Sequence, residues 1–426
     1  MKIKTTLLAA LLCLLTVNFA EAQSLAAARP EQVGLSSERL NKITATLKAD
    51  IDKGVIPGAV VLVARHGKVA LFEAVGVRNP ETKAPMTKDS IFRIYSMSKP
   101  ITSVSAMMLW EDGKFTLAEP VSKYIPQLAG LKVGVEKPDA SGKPVIELVP
   151  AQRDMTIHDL FRHTSGLTYG FFGPGLVKKM YVDGKVWNDY PSNAELIARL
   201  AKMPLAYQPG TTWDYSHSTD VLGRLVEVIS RQTLCQYEKE RLLDPLGMKD
   251  TSFYVPDKSK QDRIVEPFAN DRNFGIDADF NDPRVVQAWE SGGGGMVATA
   301  MDYARFCQML LSGGSLDGRR ILGPKTIAYM TADHVGPSIN TASLYLPGPG
   351  FGFGLGFAVR KDAGVSAFMG SVGELNWGGA GGTYFWIDPK EDMLVVFMMQ
   401  SPKQRVPYRY LLKDMVYAAV TKPAAR

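Results

Sequence analysis

Ser96 and Lys99 stand three residues apart in Ser96-Met97-Ser98-Lys99-Pro100, the single Ser-x-x-Lys of the chain. Residues three apart on a helix share a face, so the Lys99 ammonium can reach the Ser96 hydroxyl. A helix N-terminus adds free N–H groups and partial positive charge beside that oxygen. A serine, an adjacent base and nearby donors are the parts of an acyl-transfer nucleophile.

The surrounding pattern places the motif at a helix start. Ile91, Phe92, Ile94 and Tyr95 lead in, and Ile101, Val104 and Met108 recur at helical spacing as far as Gly113. Pro100 suits a first helical turn, where its missing N–H costs nothing. Upstream, Leu40, Ile43, Leu47 and Ile51 predict an amphipathic helix over 36–53, capped by Ser36 or Ser37 and ended by Gly54. Val60 to Ala64, the turn His66-Gly67, and Val69 to Phe72 predict a β-hairpin with helices covering both faces.

From about 114 to 288, short helical patterns alternate with Pro/Gly-rich connections such as Phe172-Gly173-Pro174-Gly175. Strand signals return after Gly292-Gly293-Gly294-Gly295, itself read as a tight turn. They fall at Gly352–Val359, Gly382–Ile387 and Met393–Phe397, and a final helix follows from about Tyr408. Strands at both ends of a helical middle predict an α/β domain from 30–113 and 289–420 around an inserted helical domain, 114–288.

Composition narrows the class. Lys2 and Lys4, the apolar run Leu7–Phe19 and Ala20-Glu21-Ala22 read as a secretory leader over 1–22, cleaved after Ala22, which predicts a periplasmic or secreted protein. No other segment reaches the roughly 18 apolar residues of a membrane span. The net charge of +6 includes the two leader lysines, and the other charges are mixed, which argues against nucleic acid as a partner. Of three cysteines, Cys235 and Cys307 lie beyond the leader, in apolar surroundings that favour buried thiols over a bridge. No Cys-x-x-Cys or His-x₃-His offers a metal site.

Further motifs follow Ser96 in order: His163-Thr164-Ser165-Gly166-Leu167, Trp213-Asp214-Tyr215-Ser216, and Trp377-Gly378-Gly379. Together with Gly294-Gly295-Met296 through Phe306, this order resembles the serine β-lactamase and penicillin-binding-protein-like hydrolases. Within them it is most similar to the family VIII carboxylesterases, whose fold is like that of class C β-lactamases. The resemblance spans about residues 30 to 420. It implies an antiparallel sheet flanked by helices, with Ser96 as nucleophile, Lys99 taking or relaying its proton, and Tyr215 as acid–base partner. It also places an oxyanion hole at the backbone N–H groups of Ser96 and Ala380, beside a strand carrying Trp377, Gly378 and Gly379. No cofactor or metal is implied. Free lysine and tyrosine both titrate near 10, so a base acting near pH 7 needs a shift of about three units, or ~4 kcal/mol. Burial lowers the lysine while a neighbouring ammonium lowers the tyrosine, so the sequence leaves the first base open.

Two departures from the β-lactamase pattern bear on substrate. Trp377 stands where β-lactamases carry a lysine that would meet a carboxylate, and an aromatic wall suits small neutral esters. His217 replaces an amide-binding asparagine and is read as pocket-lining or structural, with no orienting carboxylate evident. His163-Thr164-Ser165-Gly166 suits a turn that closes a helix. Tyr169, Phe171, Phe172, Tyr181 and Trp187 are either pocket wall or core. Gly-x-Ser-x-Gly, the mark of an α/β-hydrolase, is absent from the sequence. The expectation is therefore a secreted serine esterase acting on a small-molecule ester. The alternatives are a β-lactamase or D-Ala-D-Ala-type peptidase, and a silent binding protein.

Overall fold

The computed structural model describes residues 25–189, 191–272 and 281–422. The leader expected over 1–22 lies outside them. Helix α1 (Ser37–Asp52) forms as its pattern predicts, and the Ser36 hydroxyl accepts from the Arg39 N–H at 3.3 Å. Strands β1 (Gly58–Arg65) and β2 (Lys68–Asn79) follow, joined at His66 and Gly67 with φ of 54° and 68°. Strand β3 (Ala84–Pro85) ends this edge.

Five strands from the C-terminal half complete the sheet: β4 (Phe351–Phe353), β5 (Ala358–Arg360), β6 (Leu375–Gly378), β7 (Tyr384–Asp388) and β8 (Met393–Met399). The order is β4-β5-β6-β7-β8-β1-β2-β3, antiparallel throughout, and β1 pairs with β8 through Val61↔Phe397. The strand expected at Gly352–Val359 is instead two short strands. Between them Gly356 takes a φ of 110°, which turns the chain back on itself.

Every residue of β1 is buried because successive side chains enter different layers. Ala59, Val61 and Val63 pack with Leu40, Ile43 and Leu47 of α1 and with Tyr408, Leu412 and Val416 of the C-terminal helix. Val60, Leu62 and Ala64 join the larger core on the opposite face. Each fully buried aliphatic side chain contributes roughly 1.5–3 kcal/mol, so this two-sided burial firmly anchors the sheet.

Helix α2 (Ser98–Glu111) runs through that larger core, with Ser98 to Leu109 buried. Next come α3 (Ser218–Ser230), α4 (Ala300–Leu311) and α5 (Arg405–Tyr417), the last beginning slightly before Tyr408. The segment 114–288 also holds an antiparallel hairpin, Lys132–Pro138 with Pro144–Pro150, which its Pro- and Lys-rich sequence does not announce. Cys235 and Cys307 are free thiols, the latter buried.

Candidate active site

Ser96 lies not in α2 but in a single 3-10 turn, Tyr95–Met97, that feeds it. Tyr95 has a φ of 45°, a left-handed conformation costly for a bulky side chain, immediately before Ser96. That bend leaves Ser96 half-buried and partly open, while Lys99, in the first turn of α2, is 1% exposed. Lys99 Nζ sits 3.3 Å from Ser96 Oγ, 3.0 Å from the Tyr169 hydroxyl and 2.6 Å from the Gly293 carbonyl oxygen. Its nitrogen also lies 4.4 Å from the centre of the Tyr215 ring.

Burial with no carboxylate in direct contact pushes the Lys99 ammonium down to about 7, opposed by the more distant charge of Asp220. Burial moves the Tyr215 phenol upward, against the pull of the Ser96 and Trp377 side chains. The two groups that the sequence left level thus separate, because desolvation penalises an ammonium and a phenolate in opposite directions.

Tyr215 lies just before α3 and is 3% exposed. Its hydroxyl accepts from Trp377 Nε1 at 3.1 Å. Trp377 rides on β6, and the residues after that strand press against the turn holding Ser96. The Thr383 hydroxyl donates to the Ile94 carbonyl at 3.3 Å, and a Cβ on Gly379 would run into that same oxygen. The bare Cα of Gly379 therefore allows the close approach of this segment to Ile94. Among the described residues neither the Ser96 nor the Ala380 N–H donates to a protein acceptor.

Gly378 is covered by a side chain the sequence did not single out, Arg409 of α5. Its guanidinium donates to the Gly379 carbonyl at 3.2 Å and lies 5.2 Å from the centre of the Tyr384 ring. The change from lysine to Trp377 therefore does not leave this rim without a cation.

His217 is buried, and its orienting carboxylate exists. Asp220 Oδ2 lies 3.0 Å from His217 Nδ1, one helical turn along at the start of α3. That i,i+3 spacing was the available signal. The His217 ring packs edge-on against Tyr169 at 4.4 Å between centres. Tyr169, Phe171, Phe172 and Trp187 form one aromatic group against His217 and Tyr215. Tyr181 separates from it as a core residue, its hydroxyl donating to the Pro204 carbonyl at 3.1 Å.

His163-Thr164-Ser165-Gly166 follows the short helix Ile157–Phe161 and ties it to α3. Ser165 Oγ lies 2.8 Å from Ser218 Oγ, and the His163 ring packs 4.9 Å from that of Tyr215. The glycine run is strapped to α2, where Ser98 Oγ accepts from the Met296 N–H at 3.1 Å and Thr102 donates to the Gly292 carbonyl at 3.1 Å.

The family model described as Beta-lactamase matches residues 43–417. The chain belongs to the β-lactamase family. Among its relatives, Esterase EstB of Burkholderia gladioli is 30% identical over 405 residues, covering 88% of this chain and 95% of EstB. A putative D-alanyl-D-alanine carboxypeptidase of Salmonella typhimurium is 26% identical over 416 residues, covering 90% and 87%. Among solved structures, EstCE1, described as a hydrolase with promiscuous acyltransferase activity, superposes with a TM-score of 0.74. It is 28% identical and covers 90% of this chain and 98% of its own. This β-lactamase-family chain thus has the α/β architecture that its ordered motifs imply, and esterases stand among its relatives. Among the described residues no helix is long and apolar enough to cross a membrane.

Proposed function

We propose that this protein is a serine esterase that hydrolyses small neutral carboxylic esters through an acyl-enzyme on Ser96. One observation carries the reading: a buried Lys99, held close to neutrality, has its nitrogen 3.3 Å from the half-open Ser96 hydroxyl. Ser96 Oγ attacks the ester carbonyl carbon and its proton passes to Lys99. The N–H groups of Ser96 and Ala380 receive the oxyanion, and the C–O bond to the alcohol breaks as that oxygen takes a proton from the Lys99/Tyr215 pair. Water then enters by the same route, releasing the acid and restoring Ser96. Tyr215 enters as a neutral phenol, an acid rather than a first base. Trp377, with Gly378 and Gly379, walls the substrate side, and His217 lines the deeper aromatic pocket.

The domain division expected from sequence and export after a leader cleaved at Ala22 belong to the same proposal. N-terminal sequencing of protein recovered outside the cytoplasm tests the latter.

Arg409 favours a second reading, a β-lactamase or D-Ala-D-Ala-type peptidase whose substrate carries a carboxylate. A panel of p-nitrophenyl acetate and butyrate, a chromogenic cephalosporin and a D-Ala-D-Ala peptide decides between them. Brisk turnover of the esters with slow turnover of the others supports the esterase, and the reverse order supports the alternative.

A further inference from the structure

The nitrogen of Lys99 is held by more than Ser96. A neutral amine carries two N–H bonds and one lone pair. If the two N–H groups go to the Gly293 carbonyl at 2.6 Å and the Tyr169 hydroxyl at 3.0 Å, the lone pair is left for Ser96 Oγ at 3.3 Å. The aim of the base therefore depends on what fixes those two acceptors.

Both lead to one buried carboxylate. Asp220 Oδ1 accepts from the Gly293 N–H at 3.1 Å and from the Ser291 hydroxyl at 2.5 Å, and Oδ2 lies 3.0 Å from His217 Nδ1. Tyr169 faces the same carboxylate across the bare Cα of Gly293. A Cβ there would stand 2.7 Å from the Tyr169 oxygen and 2.8 Å from Asp220 Oδ2. The Tyr169 hydroxyl, accepting from Lys99, has its own proton to donate, and Asp220 is the acceptor that faces it.

We propose that Asp220 is a positioning residue for Lys99, acting through the Tyr169 hydroxyl and the Gly293 backbone to aim the lone pair at Ser96. It rests on the reading of Lys99 as base and extends it to residues that do not touch substrate. The same carboxylate charge tempers the neutrality of Lys99. Burial of Asp220 opposes its ionisation, and the hydrogen bonds it accepts from His217 and Ser291 are among the contacts that outweigh it and hold its carboxyl below the usual carboxylate range. The other groups facing Lys99 are Ser96 on its own turn, Tyr169 from the loop after His163, His163 itself, and Tyr215 before α3, with His217 packed behind Tyr169.

The test is the pH dependence of fluorophosphonate labelling at Ser96, run beside p-nitrophenyl butyrate kcat/KM, for wild type, Asp220→Asn and Tyr169→Phe. Loss of the carboxylate charge moves the acid limb of Asp220→Asn to lower pH by about one unit, a tenfold change in proton affinity. The plateau falls as well, because the acceptors of Lys99 loosen. Tyr169→Phe keeps its ring packing and shifts the limb in the same direction, so it carries the test should Asp220→Asn not fold. A limb that stays in place in the folded variants, with activity lowered equally at every pH, means a structural role and overturns the proposal. Labelling of wild-type Ser96 without ester turnover would instead sink the esterase reading and leave this one measurable.

Discussion

Trp377 Nε1 donates to the Tyr215 hydroxyl at 3.1 Å, joining strand β6 to the turn before α3 through the middle of the site. The indole therefore does more than replace a lysine with a wall. It occupies one lone pair of the phenol, which in the proposed mechanism leaves the O–H for Ser96 and the departing alcohol. Trp377→Phe keeps most of the ring but loses that donor. A hydrogen bond of this kind is worth about 1 kcal/mol, so kcat for p-nitrophenyl butyrate should fall roughly five- to tenfold with KM little changed. A rise in KM alone would make Trp377 a wall and nothing more.

In the proposed mechanism Lys99 acts as a base when neutral, and burial brings its proton affinity to about 7. Activity should rise with pH through that value and fall about tenfold per unit below it. The profile of kcat/KM checks this. A rate that stays level down to pH 5 would remove Lys99 from the role of base.

The same burial costs stability. The unfolded chain protonates this lysine near 10.5 and the folded chain near 7, so below 7 the full penalty applies, and it vanishes as pH rises past 10.5. That difference corresponds to ~4–5 kcal/mol, part of it offset by the hydrogen bonds to Gly293 and Tyr169. Lys99→Met should therefore lose activity yet gain about 2 kcal/mol of stability at neutral pH, with the gain shrinking toward pH 10. Urea melts at the two pH values report it.

Gly379 lets the end of β6 close on Ile94, the residue before the Tyr95-Ser96 bend. A methyl group there meets the Ile94 carbonyl and the Thr383 hydroxyl. Gly379→Ala should push the Ala380 N–H away from the oxyanion position. Losing one such donor costs ~2.7–4 kcal/mol, or about a hundredfold or more in kcat. An undiminished kcat would place the oxyanion donors elsewhere.

Much of this architecture is readable from local pattern. The hairpin follows from two apolar runs around the His66-Gly67 turn, and α1 from its helical periodicity and Ser36 cap, all of which nearby residues decide. Ser96, Lys99, Tyr215 and Trp377 were found by motif order, and the fold brings them together. Asp220 and Arg409 were missed for different reasons. Asp220 sits three residues from His217, but an acidic residue in a first helical turn is so ordinary that its burial gives no local sign. Arg409 reaches Gly378 from the C-terminal helix α5, a contact that tertiary packing alone creates. The proximity of Tyr169 to Lys99 likewise depends on how the loop after His163 folds back.

Everything proposed for the mechanism passes through one oxygen atom. The most direct measurement is p-nitrophenyl butyrate hydrolysis by purified, folded Ser96→Ala beside wild type, with the fluorophosphonate label mapped by peptide mass. The account predicts turnover at the uncatalysed background and no label in the variant, with the wild-type label on Ser96. Wild-type turnover by Ser96→Ala would contradict it.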